Sequence, residues 1–163
     1  MQRISPVQPY WEPIMKKIDN DIFFSWVEDE IAAGHSVHFR LRGNSMFPLL
    51  RNGKDVVVLE KCPAEALKPM DVVLFRYKGK HVLHRIICRE GNNLLIQGDG
   101  SIVAKEQCSV YDVVGKVVQV CRPHGKTVPV ESWKWRVPSC LWRCTGFLRK
   151  WILRVAYHLS IIK

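Results

Sequence analysis

No uninterrupted apolar run in the 163 residues is longer than five positions, whereas a bilayer-spanning helix needs roughly 20. A transmembrane anchor is therefore not expected. The opening stretch MQRISPVQPYWEPIMKK lacks an apolar segment of signal-peptide length, so export by that route is not expected either. Acidic residues are scarce: 15 Asp and Glu stand against 25 Lys and Arg, a net charge of +10. There is no internal repeat or low-complexity tract. The six cysteines (Cys62, Cys88, Cys108, Cys121, Cys140 and Cys144) show neither CxxC nor a Cys/His metal spacing, so no disulfide framework, metal or other cofactor is implied. Cys140 and Cys144 share one helix face but lack two further ligands. Free thiols in a reducing cytoplasm are the expectation.

What is present is ordinary globular material. The chain is 47% hydrophobic and 25% charged, which excludes a mainly disordered protein. A chain of this size buries roughly 70% of its unfolded surface, enough for a core without staples. The charge is uneven. Residues 131–163 hold seven Lys and Arg and one Glu, while residues 1–130 hold eighteen and fourteen. A tail so basic suits an anionic partner: a membrane surface, a nucleic acid or an acidic protein face.

The pattern divides the chain in three. Residues 1–35 read as an N-terminal arm, with Pro6, Pro9 and Pro13, followed by a helix. Asn20–Asp21 cap that helix, Ile22, Phe23, Trp26, Val27 and Ile31 form its apolar side, and Gly34 ends it. Residues 36–124 switch to a period of two. SVHFRLRG, DVVVLE, DVVLFRY, HVLHRIICR, NNLLIQGD and VYDVVGKVVQV are short strands separated by turn residues, among them a Lys78–Gly79–Lys80 turn. The fold class expected is mainly β, an antiparallel sheet coiling toward a partly open barrel. Residues 125–163 form a basic, Trp-rich helical tail. Beyond Pro138 one face gathers Leu141, Cys144, Leu148, Trp151, Ile152, Val155, Leu159 and Ile162, and Arg143, Lys150 and Arg154 lie opposite. With Trp133, Trp135 and Trp142, such a tail either docks on its own domain or lies on an anionic membrane surface.

Three segments carry chemistry. Gly43-Asn44-Ser45-Met46-Phe47-Pro48 holds a serine on a tight turn with backbone N–H groups close by. Val82-Leu83-His84-Arg85-Ile86 sets a histidine in an apolar strand. Gln97-Gly98-Asp99-Gly100-Ser101 is a turn bearing a carboxylate. A serine hydroxyl becomes nucleophilic when a base takes its proton, and a neutral imidazole can act as that base. A carboxylate on the other ring nitrogen would fix its tautomer, and N–H groups around Gly43, Asn44 and Met46 would receive an oxyanion. Each feature also has an ordinary explanation: a turn serine, a strand histidine in a satisfied environment, and a Gly-Asp turn whose carboxylate bonds local backbone. Spacing alone does not bring the three together.

In this order the segments resemble the S24/S26 serine peptidases, the family of signal peptidase I and the LexA-type self-cleaving repressors. The resemblance covers residues 37 to about 120. Its most specific parts are Ser-Met-x-Pro at 45–48, Asp-Val-Val at 71–73, His-Arg-Ile at 84–86 and Gly-Asp at 98–99. It implies a coiled all-β catalytic core, Ser45 as nucleophile, His84 as the base of the histidine-type members, and Asp99 as the supporting carboxylate. Met70-Asp71 stands where the family has Gly-Asp, Gly100-Ser101 follows the second Gly-Asp, and Gly43 offers no side-chain hydroxyl. The self-cleaving repressor branch is not expected. Only 44 residues precede Ser45, Ala33-Gly34 reads as a helix end, and Lys78 and Lys80 fall in a turn.

The resulting expectation is a serine endopeptidase that cleaves a peptide or protein leader through an acyl-enzyme. It would be cytoplasmic and peripheral at the inner membrane face through residues 133–163. The alternative is a non-catalytic binding module on the same scaffold, recognising a peptide strand, a lipid headgroup or an acidic partner. Nucleic-acid binding is supported by charge alone. The residues do not define an oligomeric state.

Overall fold

The computed structural model describes residues 20–158. The proline-bearing arm at 1–13 and the expected apolar positions Leu159 and Ile162 lie outside the described residues. Eight strands form one antiparallel sheet: β1 (Val37–Arg40), β2 (Val56–Glu60), β3 (Val72–Tyr77), β4 (Lys80–Glu90), β5 (Asn93–Gln97), β6 (Glu106–Ser109), β7 (Val113–Cys121) and β8 (Thr127–Pro129). Their order is β1-β2-β7-β3-β4-β5-β6, with β8 alongside the end of β7. The sheet is not closed. Among the described residues β1 pairs only with β2, and β6 only with β5.

β3 shows why the sheet is two-sided. Its VVLF run is buried at every position, and successive side chains point to opposite faces. Val72 and Leu74 join a core with Val57, Leu59 and Val117, whereas Val73 and Phe75 join a second core with Ile86, Leu94 and Ile96. β-branched residues dominate these strands because they fit a pleated, packed surface. Two strands escaped the alternation. EQCS (β6) and TVP (β8) are short and have no fully buried position, and β8 extends the sheet past the expected boundary at residue 124. The expected VYDVVGKVVQV strand begins instead with a one-turn helix at Val110–Asp112, closed by a reciprocal Ser109–Asp112 capping box, and only then becomes β7.

Helix α1 (Asn20–Ala32) packs on the first core through Val27 and Ile31, with Phe23 and Phe24 against it. Ile22 and Trp26, expected on the same side, are exposed. The real inward face is rotated toward Phe24, which stacks on His81 with ring centroids 4.9 Å apart.

The tail forms two helices, α2 (Trp133–Cys144) and α3 (Gly146–His158), broken at Thr145. α2 starts five residues before Pro138, which sits inside it. The tail docks on the domain, but not through the expected stripe. Trp135, Ser139, Trp142, Arg149, Leu153 and Ala156 face inward, while Leu141, Cys144, Leu148, Trp151, Ile152 and Val155 are exposed. Trp142, Leu153 and Ala156 pack against Phe47 and Leu49, so the tail rests on the loop that carries Ser45. Among the described residues no helix is long and apolar enough to cross a membrane.

Candidate active site

Ser45 lies in the loop between β1 and β2. The loop is tied at its base by Leu41 N–H to the Asp55 carbonyl at 3.1 Å and Gly53 N–H to the Leu41 carbonyl at 2.9 Å. Beneath it, the fully buried Asp55 carboxylate accepts from the Arg51 amide at 2.8 Å and the Arg51 guanidinium at 2.9 Å, and from Arg122. Arg122 also donates to the Leu49 carbonyl at 2.9 Å. A buried charge needs such partners to persist, and here they hold the loop from below.

Within the loop the chain turns helically. Phe47 N–H donates to the Asn44 carbonyl at 3.0 Å and Leu50 N–H to the Met46 carbonyl at 2.9 Å. The amides at the start of such a turn have no intrachain acceptor, and among the described residues the Ser45 and Met46 N–H groups donate to none. These two amides suit an oxyanion. The Gly43 N–H, expected beside them, donates instead to Asn52 Oδ1 at 3.0 Å. The Met46 side chain is buried in the first core and anchors the turn. Asn44 is half-buried, and its carbonyl is the acceptor for Phe47. Ser45 is exposed.

His84 sits in β4 opposite Val73 and is 7% exposed. Its Nδ1 lies 3.1 Å from Glu106 Oε2. A carboxylate only accepts, so this nitrogen carries a proton and donates, and in the neutral imidazole Nε2 is then the acceptor. Nε2 faces the serine loop across Gly98. A Cβ built on Gly98 would lie 3.0 Å from His84 Nε2 and 2.5 Å from the Ser45 carbonyl oxygen. Gly100 meets the same loop, since its N–H donates to the Ser45 carbonyl at 2.7 Å and a Cβ there would fall 2.4 Å from the Asn44 carbonyl oxygen. Contacts that short leave no room for a methyl group. The two glycines are what allow the 98–100 turn, the serine loop and the histidine to converge. In this state Ser45 and His84 are not hydrogen-bonded to each other.

Asp99 is placed differently from the expectation. Its carboxylate does not support His84. It is 0% exposed and receives a bidentate grip from the equally buried Arg85, with Nε at 2.9 Å and Nη2 at 2.8 Å. The carboxylate on the histidine is Glu106, which the sequence reading missed. Glu106 opens the edge strand β6, whose polar residues carry no periodic signal, and its approach to His84 comes from the lateral order β4-β5-β6. The available clue was chemical: a carboxylate shortly after the Gly-Asp turn.

The tail completes the surroundings. Trp142 Nε1–H donates to the Asp99 carbonyl at 3.0 Å. Arg149 donates to the carbonyls of Gly98 at 2.8 Å, Asp99 at 2.8 Å and Ser101 at 2.6 Å. Burial, and then the neighbouring Arg143 charge, push the Arg149 guanidinium below its ordinary value. Arg143, expected on the outer polar face, turns inward to Gln97 Oε1 at 3.0 Å.

Other nucleophiles and ligands are poorly placed. All six cysteines are unpaired. Burial pushes the Cys62 thiol up and the Cys108 thiol up to about 12, which suppresses the reactive thiolate at neutral pH. His81, which also contacts a carboxylate, Glu28, ties β4 to α1. Among the described residues no cluster of His, Cys, Asp or Glu suits a metal. No protein-family model matches the chain, and no curated protein matches its sequence.

Proposed function

We propose that the protein is a serine endopeptidase in which Ser45 is the nucleophile, His84 the general base and Glu106 the group that orients the base. The observation that carries this reading is the His84 environment. Nδ1 is committed to Glu106 Oε2 at 3.1 Å, and Nε2 faces the Ser45 loop over a glycine. The resemblance of Ser-Met-x-Pro and His-Arg-Ile to the S24/S26 peptidases points the same way.

Ser45 Oγ attacks the substrate carbonyl carbon as its proton passes to His84 Nε2. The carbonyl oxygen becomes an oxyanion held by the Ser45 and Met46 amides. The C–N bond then breaks, the imidazolium gives its proton to the leaving amine, and an ester remains on Ser45. Water attacks the ester, its proton goes to His84, and the acid product leaves as Ser45 recovers its proton. Glu106 remains a carboxylate throughout and stabilises the imidazolium. Among the described residues β1 pairs on one side only, with β2, and it runs directly into the serine loop. An extended peptide added there would have its carbonyls carried toward Ser45.

The test is digestion of a peptide library by the full chain, read by mass spectrometry, with Ser45→Ala and His84→Ala in parallel. Cleavage should fall by on the order of a thousandfold or more in each variant, with melting temperatures unchanged. Undiminished cleavage by either variant overturns the assignment. The unjoined Ser45 and His84 side chains favour a second reading, a peptide-binding module. Peptide retention by the wild-type chain without any cleavage is its outcome.

A further inference from the structure

We propose that the outward face of α2 and α3 is a docking surface for a bilayer rich in anionic lipid, independent of whether Ser45 is a nucleophile. Trp133, Val137, Cys140, Leu141 and Cys144 repeat along the outer side of α2 and are all exposed, Trp133 by 71%. On α3, Leu148, Trp151, Ile152 and Val155 do the same, with Leu148 exposed by 62% and Trp151 by 55%. An apolar stripe running over two consecutive helices is more than the scattered single apolar residues of an ordinary surface.

The stripe is unpartnered because the helices dock by another face. Arg149 is spent on the carbonyls of the 98–101 turn, and Leu153 and Ala156 pack with Trp142 against Phe47 and Leu49. Going round α3 at 100° per residue, the inward group 149, 153 and 156 is followed by the exposed Lys150, Arg154 and His158, then by the apolar stripe. A helix that lies in a membrane interface needs this arrangement of an apolar strip bordered by cations. Arg154 lies over the Trp151 ring at 5.7 Å, joining the two strips at one edge.

The basic strip also lines an open groove of about 730 Å³ between α3 and the 100–104 loop, where Lys150, Arg154 and His158 face Ile102 and the exposed Val103. Phosphate headgroups fit the cations, and acyl chains fit the stripe and the loop tip. No acidic residue occurs from Ser132 to His158. A second copy of this face would set Lys150 and Arg154 against their equivalents, so charge complementarity selects an anionic surface. Nucleic acid would use the cations but would leave the aliphatic stripe in water.

The experiment is flotation of the full chain with phosphatidylcholine vesicles, with and without about one-third phosphatidylglycerol. Flotation is expected with the anionic vesicles only, and it should weaken as salt is raised. Leu148→Asp with Ile152→Asp should reduce binding on the order of a hundredfold. Lys150→Gln with Arg154→Gln should reduce it on the order of tenfold. All four positions are exposed, and circular dichroism checks that each variant stays folded. Ser45→Ala should float like the wild type, which separates this result from the fate of the peptidase reading. The proposal is overturned by no flotation, by equal flotation on both vesicles, or by variants that bind like the wild type. It is also overturned by a dimer in solution that the stripe variant converts to monomer, which assigns the face to a second copy.

Discussion

The two faces of β4 use one chemical motif for opposite purposes. His84 and Arg85 are sequence neighbours that point to opposite sides of the strand, and each meets a carboxylate. On one side Arg85 and Asp99 are both 0% exposed, joined by bidentate hydrogen bonds, with Arg85 also donating to the Met70 carbonyl at 2.8 Å and lying 5.6 Å from the Trp135 ring. Every side-chain nitrogen and oxygen of the pair itself is engaged, and it acts as a rivet between β4 and the 98–101 turn. On the other side His84, which is buried, and Glu106 share a single contact, and in the neutral imidazole the second ring nitrogen is left to accept. A saturated pair fixes geometry, whereas a pair with one vacant acceptor can move a proton. The resemblance to a peptidase family paired His84 with Asp99, whereas Asp99 lies on the other face with Arg85 and the carboxylate beside His84 is Glu106.

That contrast breaks first at the rivet. Asp99→Asn leaves the Arg85 charge buried without its counter-ion, and removing one partner of a buried pair typically costs about 3–5 kcal/mol. Denaturant unfolding should show a loss of that size. If Asp99 instead served His84 directly, the main effect would be on rate with stability kept.

Glu106→Gln is the reciprocal change. The amide has both a donor and an acceptor, so it no longer imposes protonation of Nδ1. Under the proposed mechanism kcat/KM should fall on the order of a hundredfold or more, and the pH–rate profile should move while the melting temperature stays. An unchanged rate would remove Glu106 from the site.

Arg149→Met is expected to have the smallest effect of the three. It keeps the stem and withdraws donors from the carbonyls of Gly98, Asp99 and Ser101, of which Asp99 retains Trp142. A buried acceptor left without a partner costs about 1–3 kcal/mol. The turn that spaces His84 from Ser45 would loosen, so activity should fall together with stability. A stability loss with activity intact would show that the tail does not position the site.

Legibility follows from where the information resides. The short apolar runs of DVVVLE and DVVLFRY, bounded by turn residues, made those strands readable because each is buried over most of its length. The Gly-Asn-Ser turn was readable because tight turns need particular residues. Glu106 was not, since a four-residue polar edge strand has too few buried positions to show a period. The helix faces failed for a different reason. On α1 the inward direction depends on a partner, His81, fifty-seven residues from Phe24. On α2 and α3 the most apolar face is the one left outside. The inward face is chosen by the turn carbonyls that need donors, which Arg149 and Trp142 provide.

The sequence by itself determined local matters: a β-rich core between helical ends, a serine held on a turn, a histidine in a strand and a cationic, Trp-rich tail. These follow from dihedral preferences and from burial with a fixed period, which act over a few residues at a time. The tertiary structure alone decided the pairings. It gave Glu106 to His84 and Asp99 to Arg85, brought Gly98 and Gly100 against the serine loop, and turned Arg143 and Arg149 inward so that the apolar stripe of the tail faces out. Each of those outcomes depends on which strand lies beside which and on satisfying buried polar groups across the chain, and neither requirement leaves a local pattern.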